Sequence, residues 1–275
     1  MKYTAQSTKY VFKNFFYIFP FAVFPAFLFS VSTDENALIN VLTALFEKRI
    51  SDWKFFELFR AVSFLNFSSW KASVFGFIGL IVLVLSIALF MALLDKHFRF
   101  GKRTYNGIFS KLNDNFVSTC GYTLLLFVMY ELWSLIAATF LFFSSRIPLI
   151  WCSYLLSGVL FIILHIMLLY AVGSIYLWLP CMQITGFRSF ESLRYSYQLV
   201  EPVKWKILLG QIAVLLSIEA LIVGCIFALP NKILLTVATT FLYAIVVMIY
   251  CVRMQITYFE RDNLERVDLL TYYKR

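Results

Sequence analysis

Charge is scarce in these 275 residues. Asp, Glu, Lys and Arg make up 14% of the chain against 61% hydrophobic residues, where a soluble domain averages about 25% charged. So little charge cannot clothe a globular surface in water-compatible groups, which excludes an ordinary soluble domain. Histidine is nearly missing, with only His97 and His165. No H-E-x-x-H, G-x-x-x-x-G-K, G-x-S-x-G or paired-carboxylate metal motif occurs. The five cysteines (Cys120, Cys152, Cys181, Cys225 and Cys251) are dispersed without a C-x-x-C pair. That spacing indicates neither a disulfide framework nor a zinc site, and they read as small apolar residues. The ten glycines are too scattered to cradle a phosphate. No catalytic residue, cofactor-binding residue or metal ligand can be nominated, no cofactor is expected, and the balance weighs against an enzyme.

What the chain has instead is long apolar runs, and a mean hydropathy of +0.82. They fall at 14–31, 72–94, 117–143, 150–180, 207–229 and 233–252. A bilayer core needs about 20 apolar residues per helix. The sequence therefore predicts an all-α membrane protein, with 1–275 forming one polytopic domain of six transmembrane helices. The first run carries Pro20 and Pro25, which membrane helices tolerate. With Lys2, Lys9 and Lys13 before it and "SVS" at 30–32 it also resembles a cleavable leader. Its length and its phenylalanines favour a retained span.

Basic residues set the orientation. Seventeen Lys and Arg fall in the N-terminal tail, the loops around 95–115 and 181–206 and the tail 253–275, against seven on the other side. The chain is thus expected in a bacterial cytoplasmic membrane, multi-pass, with both termini cytoplasmic. Net charge is +9. Because the basic residues lie between apolar runs, membrane lipids with anionic headgroups are the expected partners, and nucleic acid is not. Trp70, Trp151, Trp178 and Trp205 fall near span ends, the level that indole rings prefer.

The outer segment 32–71 reads as interfacial helices. Leu38, Val41, Leu42 and Leu45 share one helical face; Phe55, Phe56, Phe59 and Val62 share another, opposite Lys54, Glu57 and Arg60. This segment is either a lid over the bundle or a surface for lipid or a partner. Asn66-Phe67-Ser68 matches a glycosylation acceptor, a short and weak motif.

"MQIT" is written twice, at 182–185 and 254–257, each time at the end of an apolar run. A second echo joins "GKRTYNGIFSKLNDNF" (101–116) to "GFRSFESLRYSYQLV" (186–200). Thr104 and Ser189 would cap short cytoplasmic helices over 104–112 and 189–200. These would dock through Tyr105, Ile108 and Leu112, and through Phe190, Leu193 and Tyr197. The echoes predict three two-helix hairpins with amphipathic interfacial helices, a parallel repeat, in which MQIT marks equivalent helix exits.

The stretch "PCMQITGFRSFESLRYSYQLVEPVKWKILLG" carries Ser192, Leu193, Ser196 and Leu199, then Trp205. With Glu260, Glu265, Arg266, Asp268 and Leu269 in the closing segment, it resembles the glycerophosphoryl diester phosphodiesterase membrane-domain family and related small bacterial six-span proteins. The resemblance covers the membrane unit only. It implies fold and location more than activity, since the soluble catalytic domain of such phosphodiesterases has no counterpart in these residues.

Three ionisable residues lie midway along apolar runs: Glu131, His165 and Glu219. An ionised group there costs roughly 2.5–3.5 kcal/mol on insertion scales, so each should face the bundle or a polar partner. They form a candidate intramembrane polar site, with at least two facing a common space. Read as hydrogen-bonded glue they are structural; read as a Glu–His pair they can carry a proton. The function expected is a non-enzymatic membrane protein that binds or moves a lipid-related or small solute, alone or with a partner. The alternative is a scaffold or regulatory subunit with a protein partner on the cytoplasmic face, held through the charged tail. A membrane-embedded enzyme ranks third.

Overall fold

The computed structural model describes residues 2–229 and 231–270. It is built of helices, with no strand among the described residues. In chain order these are α1 (Lys2–Lys13), α2 (Phe15–Ser32), α3 (Glu35–Phe46), α4 (Phe55–Val62), α5 (Trp70–Phe100), α6 (Ile108–Ser145), α7 (Ile150–Ser174), α8 (Trp178–Thr185), α9 (Ser189–Val200), α10 (Lys204–Ala228), α11 (Lys232–Arg261) and α12 (Val267–Leu270). Six helical stretches are long and apolar enough to cross a membrane: α2, α5, α6, α7 with α8, α9 with α10, and α11. These are the six sequence runs, and the chain is an integral membrane protein in type.

Local signals fix the ends. Asp34, Ser69 and Asn231 cap α3, α5 and α11 by accepting from Ala37 N, Ala72 N and Ile233 N. Gly101 closes α5 and Gly107 opens α6, both left-handed at φ 66° and 71°. Glycine takes that conformation without a Cβ clash. The core is the packing of α2 on α5 and α11, where Ala22, Ala26 and Ala244 are almost wholly buried. Small side chains let these backbones approach closely. Trp70, Trp151 and Trp205 stand exposed near helix starts, as expected of an interfacial belt.

Several expectations need correction. No separate helix covers 104–112: residues 101–107 are irregular, and α6 then runs unbroken from Ile108. Thr104 turns its hydroxyl to Asn106 N instead of capping a helix. The second short helix exists as α9, but Arg188 occupies its cap position. It docks through Ser192, Ser196, Leu199 and Val200, whereas Phe190 and Tyr197 are exposed. The 150–180 run is broken at 175–177, because Pro180 has no N–H for the Tyr176 carbonyl and its ring would crowd that oxygen.

The MQIT copies are not equivalent exits. The first ends α8 at the left-handed Gly186, while the second is buried inside α11, which continues to Arg261. The stretch read as the start of a tail is therefore core: Cys251 to Phe259 are all buried. Beyond it, Asp262 accepts from Tyr195 and Tyr258. Arg266 pairs with Asp268 and lies over Phe98. Residues 271–275, the last part of the predicted tail, lie outside the described residues.

The outer segment holds the two predicted helices, α3 and α4, but α4 does not lie flat. Arg146, at the end of α6, donates to the carbonyls of Ser51 and Trp53. Tyr130 of the same helix donates to Val62 O at 2.7 Å. Positions 130 and 146 are about 24 Å apart along α6 at 1.5 Å per residue. So α4 descends beside α6 and the turn after it is re-entrant. Leu58 is its buried contact and Phe56 points away. The tip also packs on Gly76, where a Cβ would stand 3.2 Å from Leu65; that is about 9 Å along α5 beyond Trp70. Asn66 is buried in this turn, accepting from Ser68 N and, through its carbonyl, from Ser73, which argues against glycosylation there.

Candidate functional site: polar groups inside the bundle

An irregular turn at membrane depth must have its backbone donors satisfied from within the protein. Glu131 does this. Its Oε1 accepts from Phe64 N at 3.0 Å and Leu65 N at 3.3 Å, and its Oε2 accepts from Ser63 Oγ at 2.7 Å. Ser63 Oγ in turn accepts from Leu65 N at 3.1 Å, which closes the turn. Hydrogen bonds to a charged acceptor contribute roughly 1.5–3 kcal/mol each. Three of them offset the cost of placing a carboxylate in an apolar helix. Ser134 and Ala138, one and two turns on, are fully buried, so this face of α6 packs against protein as expected.

His165 and Glu219 meet across α7 and α10, with Nε2 and Oε1 3.3 Å apart. His165 Nδ1 faces the carbonyl of Phe161, one turn back, at 3.1 Å. With Nδ1–H donating there, Nε2 is left to take or give the proton shared with Glu219. The imidazole lies edge-on to Trp133 at 4.6 Å and Phe161 at 4.1 Å. Trp133 is held in turn by Nε1–H donating to Leu164 O at 2.9 Å, and it packs on Tyr130. The His165 side chain is 13% exposed and that of Glu219 is 37% exposed. The pair therefore opens toward the outside of the bundle on the glutamate side.

The three nominated residues thus divide. His165 and Glu219 share a site. Glu131 serves the re-entrant turn, and the Tyr130 and Trp133 rings stand between it and His165.

A fourth polar group was not singled out in the sequence: Arg253. It is 3% exposed, and its Nε donates to Tyr176 OH at 2.9 Å, in the break between α7 and α8. Tyr176 packs edge-on to Tyr250, whose hydroxyl lies 2.7 Å from that of Tyr122. Burying a guanidinium away from water costs several kcal/mol unless it is paired. The signal that could have found it is an arginine set between "YCV" and "MQITYF", with no charge for twenty residues before it and six after. Among the described residues, no group of His, Cys, Asp and Glu is arranged to hold a metal.

No family model, curated protein or solved structure matches the chain.

Proposed function

We propose that this protein binds or moves a small or lipid-related solute across or within the membrane, with His165 and Glu219 as the proton-exchanging pair. The observation that supports this is the 3.3 Å contact between an imidazole and a carboxylate on two apolar helices. A proton arriving at Glu219 has a neighbouring acceptor in His165 Nε2, 3.3 Å away. The basic-rich end, which carries α1, the 101–107 loop, α9 and α12, is taken as cytoplasmic. The resemblance to the phosphodiesterase membrane unit is compatible with a lipid-related solute, and the role proposed is non-enzymatic.

The scaffold reading draws less support. Its contact surface was to be the charged tail, and from Glu260 to Asp268 that tail is engaged internally: Glu260 with Lys2, Asp262 with two tyrosines, Arg266 with Asp268.

The test uses the proton itself as probe. In proteoliposomes containing a pH-sensitive dye, an imposed potential should drive proton entry faster with the wild-type protein than in protein-free vesicles. Glu219→Gln and His165→Gln should abolish the difference at equal protein content. Equal rates for wild type and both variants would leave the pair as interhelical glue, and this function would fall.

A further inference from the structure

The Arg253 junction is distinct from the His165–Glu219 pair, and nothing above uses it. Among the described residues no carboxylate lies within ion-pair distance of Arg253, and three acids of this end have other partners: Asp95 with Arg99 and Lys111, Glu260 with Lys2, Asp268 with Arg266. Arginine does not shed its proton. The result is a permanent buried positive charge without an internal counter-ion. Its Nη1 makes no hydrogen bond within the protein.

A second buried group without a partner lies on the neighbouring stretch of α10. Gln211, 5% exposed on α10, has neither amide oxygen nor amide nitrogen hydrogen-bonded. Its Oε1 lies against Gly173, one turn before Tyr176, while its neighbour Gly210 sits against Arg253. A Cβ on Gly210 would stand 3.2 Å from Arg253 Nη1 and would collide with Thr4 Oγ1 of α1. The missing side chain is therefore what lets α1, α10 and the guanidinium converge. Thr4 is half-buried, so the junction lies one layer beneath the surface, under the N-terminal helix.

We propose that this junction binds an oxyanion, a phosphate group, held by the Arg253 guanidinium with the Gln211 amide and the Thr4 hydroxyl as further donors. The planar guanidinium fork matches the oxygens of a phosphate, and amide and hydroxyl can both donate to the same anion. A permanent charge with unsatisfied donors selects an acceptor-only ligand over a cation or a neutral solute. The site is at the basic-rich end, more than twenty residues along α11 from Lys232. A lipid headgroup and free phosphate present the same chemistry there.

The test is the thermal unfolding of the purified full chain, in detergent with inorganic phosphate against chloride at matched ionic strength, and in nanodiscs of phosphatidylglycerol against phosphatidylcholine. A stabilisation by both phosphate and phosphatidylglycerol that Arg253→Gln weakens tenfold or more supports the site with either source. Stabilisation by phosphatidylglycerol alone, lost in the same variant, assigns it to a lipid phosphate. Absence of any stabilisation overturns the proposal, as does one that survives Arg253→Gln undiminished. If Arg253→Gln does not fold, Gln211→Leu decides: it should fold and weaken the response several-fold, and an unchanged response overturns the site.

Discussion

Glu131→Ala removes the acceptor for Ser63 Oγ, Phe64 N and Leu65 N in one step. Three bonds to a carboxylate would sum to roughly 4–9 kcal/mol at 1.5–3 each, but that sum overstates the loss. Leu65 N keeps Ser63 Oγ as an acceptor at 3.1 Å, and the freed Ser63 hydroxyl can turn to Leu65 O. Counting mainly the Phe64 donor, left without an acceptor at membrane depth, and half of the rest leaves about 2–4 kcal/mol, confined to the turn. Glu131→Gln is a different perturbation. Its amide oxygen still accepts from both N–H groups, and its NH2 can donate to Ser63 Oγ, so the cost is about 1 kcal/mol. Hydrogen exchange at 63–66, followed by mass spectrometry in detergent, separates the two. The alanine variant should exchange about 30- to 1000-fold faster there and the glutamine variant about fivefold faster, with α5 unchanged in both. Equal exchange in wild type and Glu131→Ala would refute the anchoring role. Glutamine as damaging as alanine would show that the charge, not the acceptor geometry, is what matters.

Gly210→Ala should lower stability by about 1–3 kcal/mol, because the new methyl collides with Thr4. Adding Thr4→Ala should restore most of the loss in a thermal melt, and independent, additive losses would refute the contact. Burial pushes the Glu35 carboxyl above its ordinary 4.5, against the opposing Lys232 ammonium and Thr236 hydroxyl. A raised folded-state value makes the native state hold the proton more tightly. Its stabilising contribution is then full below 4.5 and is lost as pH rises through the folded value. Glu35→Gln should flatten the fall of melting temperature over that window, and a steeper fall would contradict the sign. Single cysteines at Lys232 and Lys102, both exposed, should label from opposite sides of the membrane, with Lys102 reached only after permeabilisation. Labelling of Lys102 in intact cells would invert the topology.

The six spans were legible because twenty-residue apolar runs have few alternative readings, and the caps at Asp34, Ser69 and Asn231 obey ordinary helix-start chemistry. The course of α4 was not legible. Its alternation of Phe55, Phe59 and Val62 with Lys54, Glu57 and Arg60 suits a helix lying at the interface as well as one leaning on α6. Only Arg146 and Tyr130, far away in sequence, decide between them. The tail failed for a related reason. Arg253 and Arg261 look like the onset of a water-facing segment, yet Arg253 is buried and Arg261 donates to the Leu199 carbonyl. The break before Pro180 had a usable signal in the proline itself. The His165–Glu219 pairing was foreshadowed by similar depth along their runs, but depth alone could not keep Glu131 out of it.

The distribution of these polar groups separates structural from functional roles. Glu131 sits where the chain leaves helical form, at the turn after α4, and its oxygens accept from backbone N–H groups that the turn exposes. Arg253 sits against the other interruption, the 175–177 break, and its one hydrogen bond holds Tyr176 there. In both places an expensive side chain meets an irregular backbone that needs it or is held by it. His165 and Glu219 meet no such need. They lie within α7 and α10, whose backbone is helical on both sides, and the Nε2–Oε1 contact satisfies no main-chain group. Two apolar side chains of similar volume would join these helices at no desolvation cost. A pair that meets no main-chain need in either helix is where a function needing proton exchange would be placed. Replacing both residues together, His165→Leu with Glu219→Leu, should therefore leave the melting temperature equal or raised while abolishing proton entry. A double variant that unfolds would return the pair to the class of Glu131.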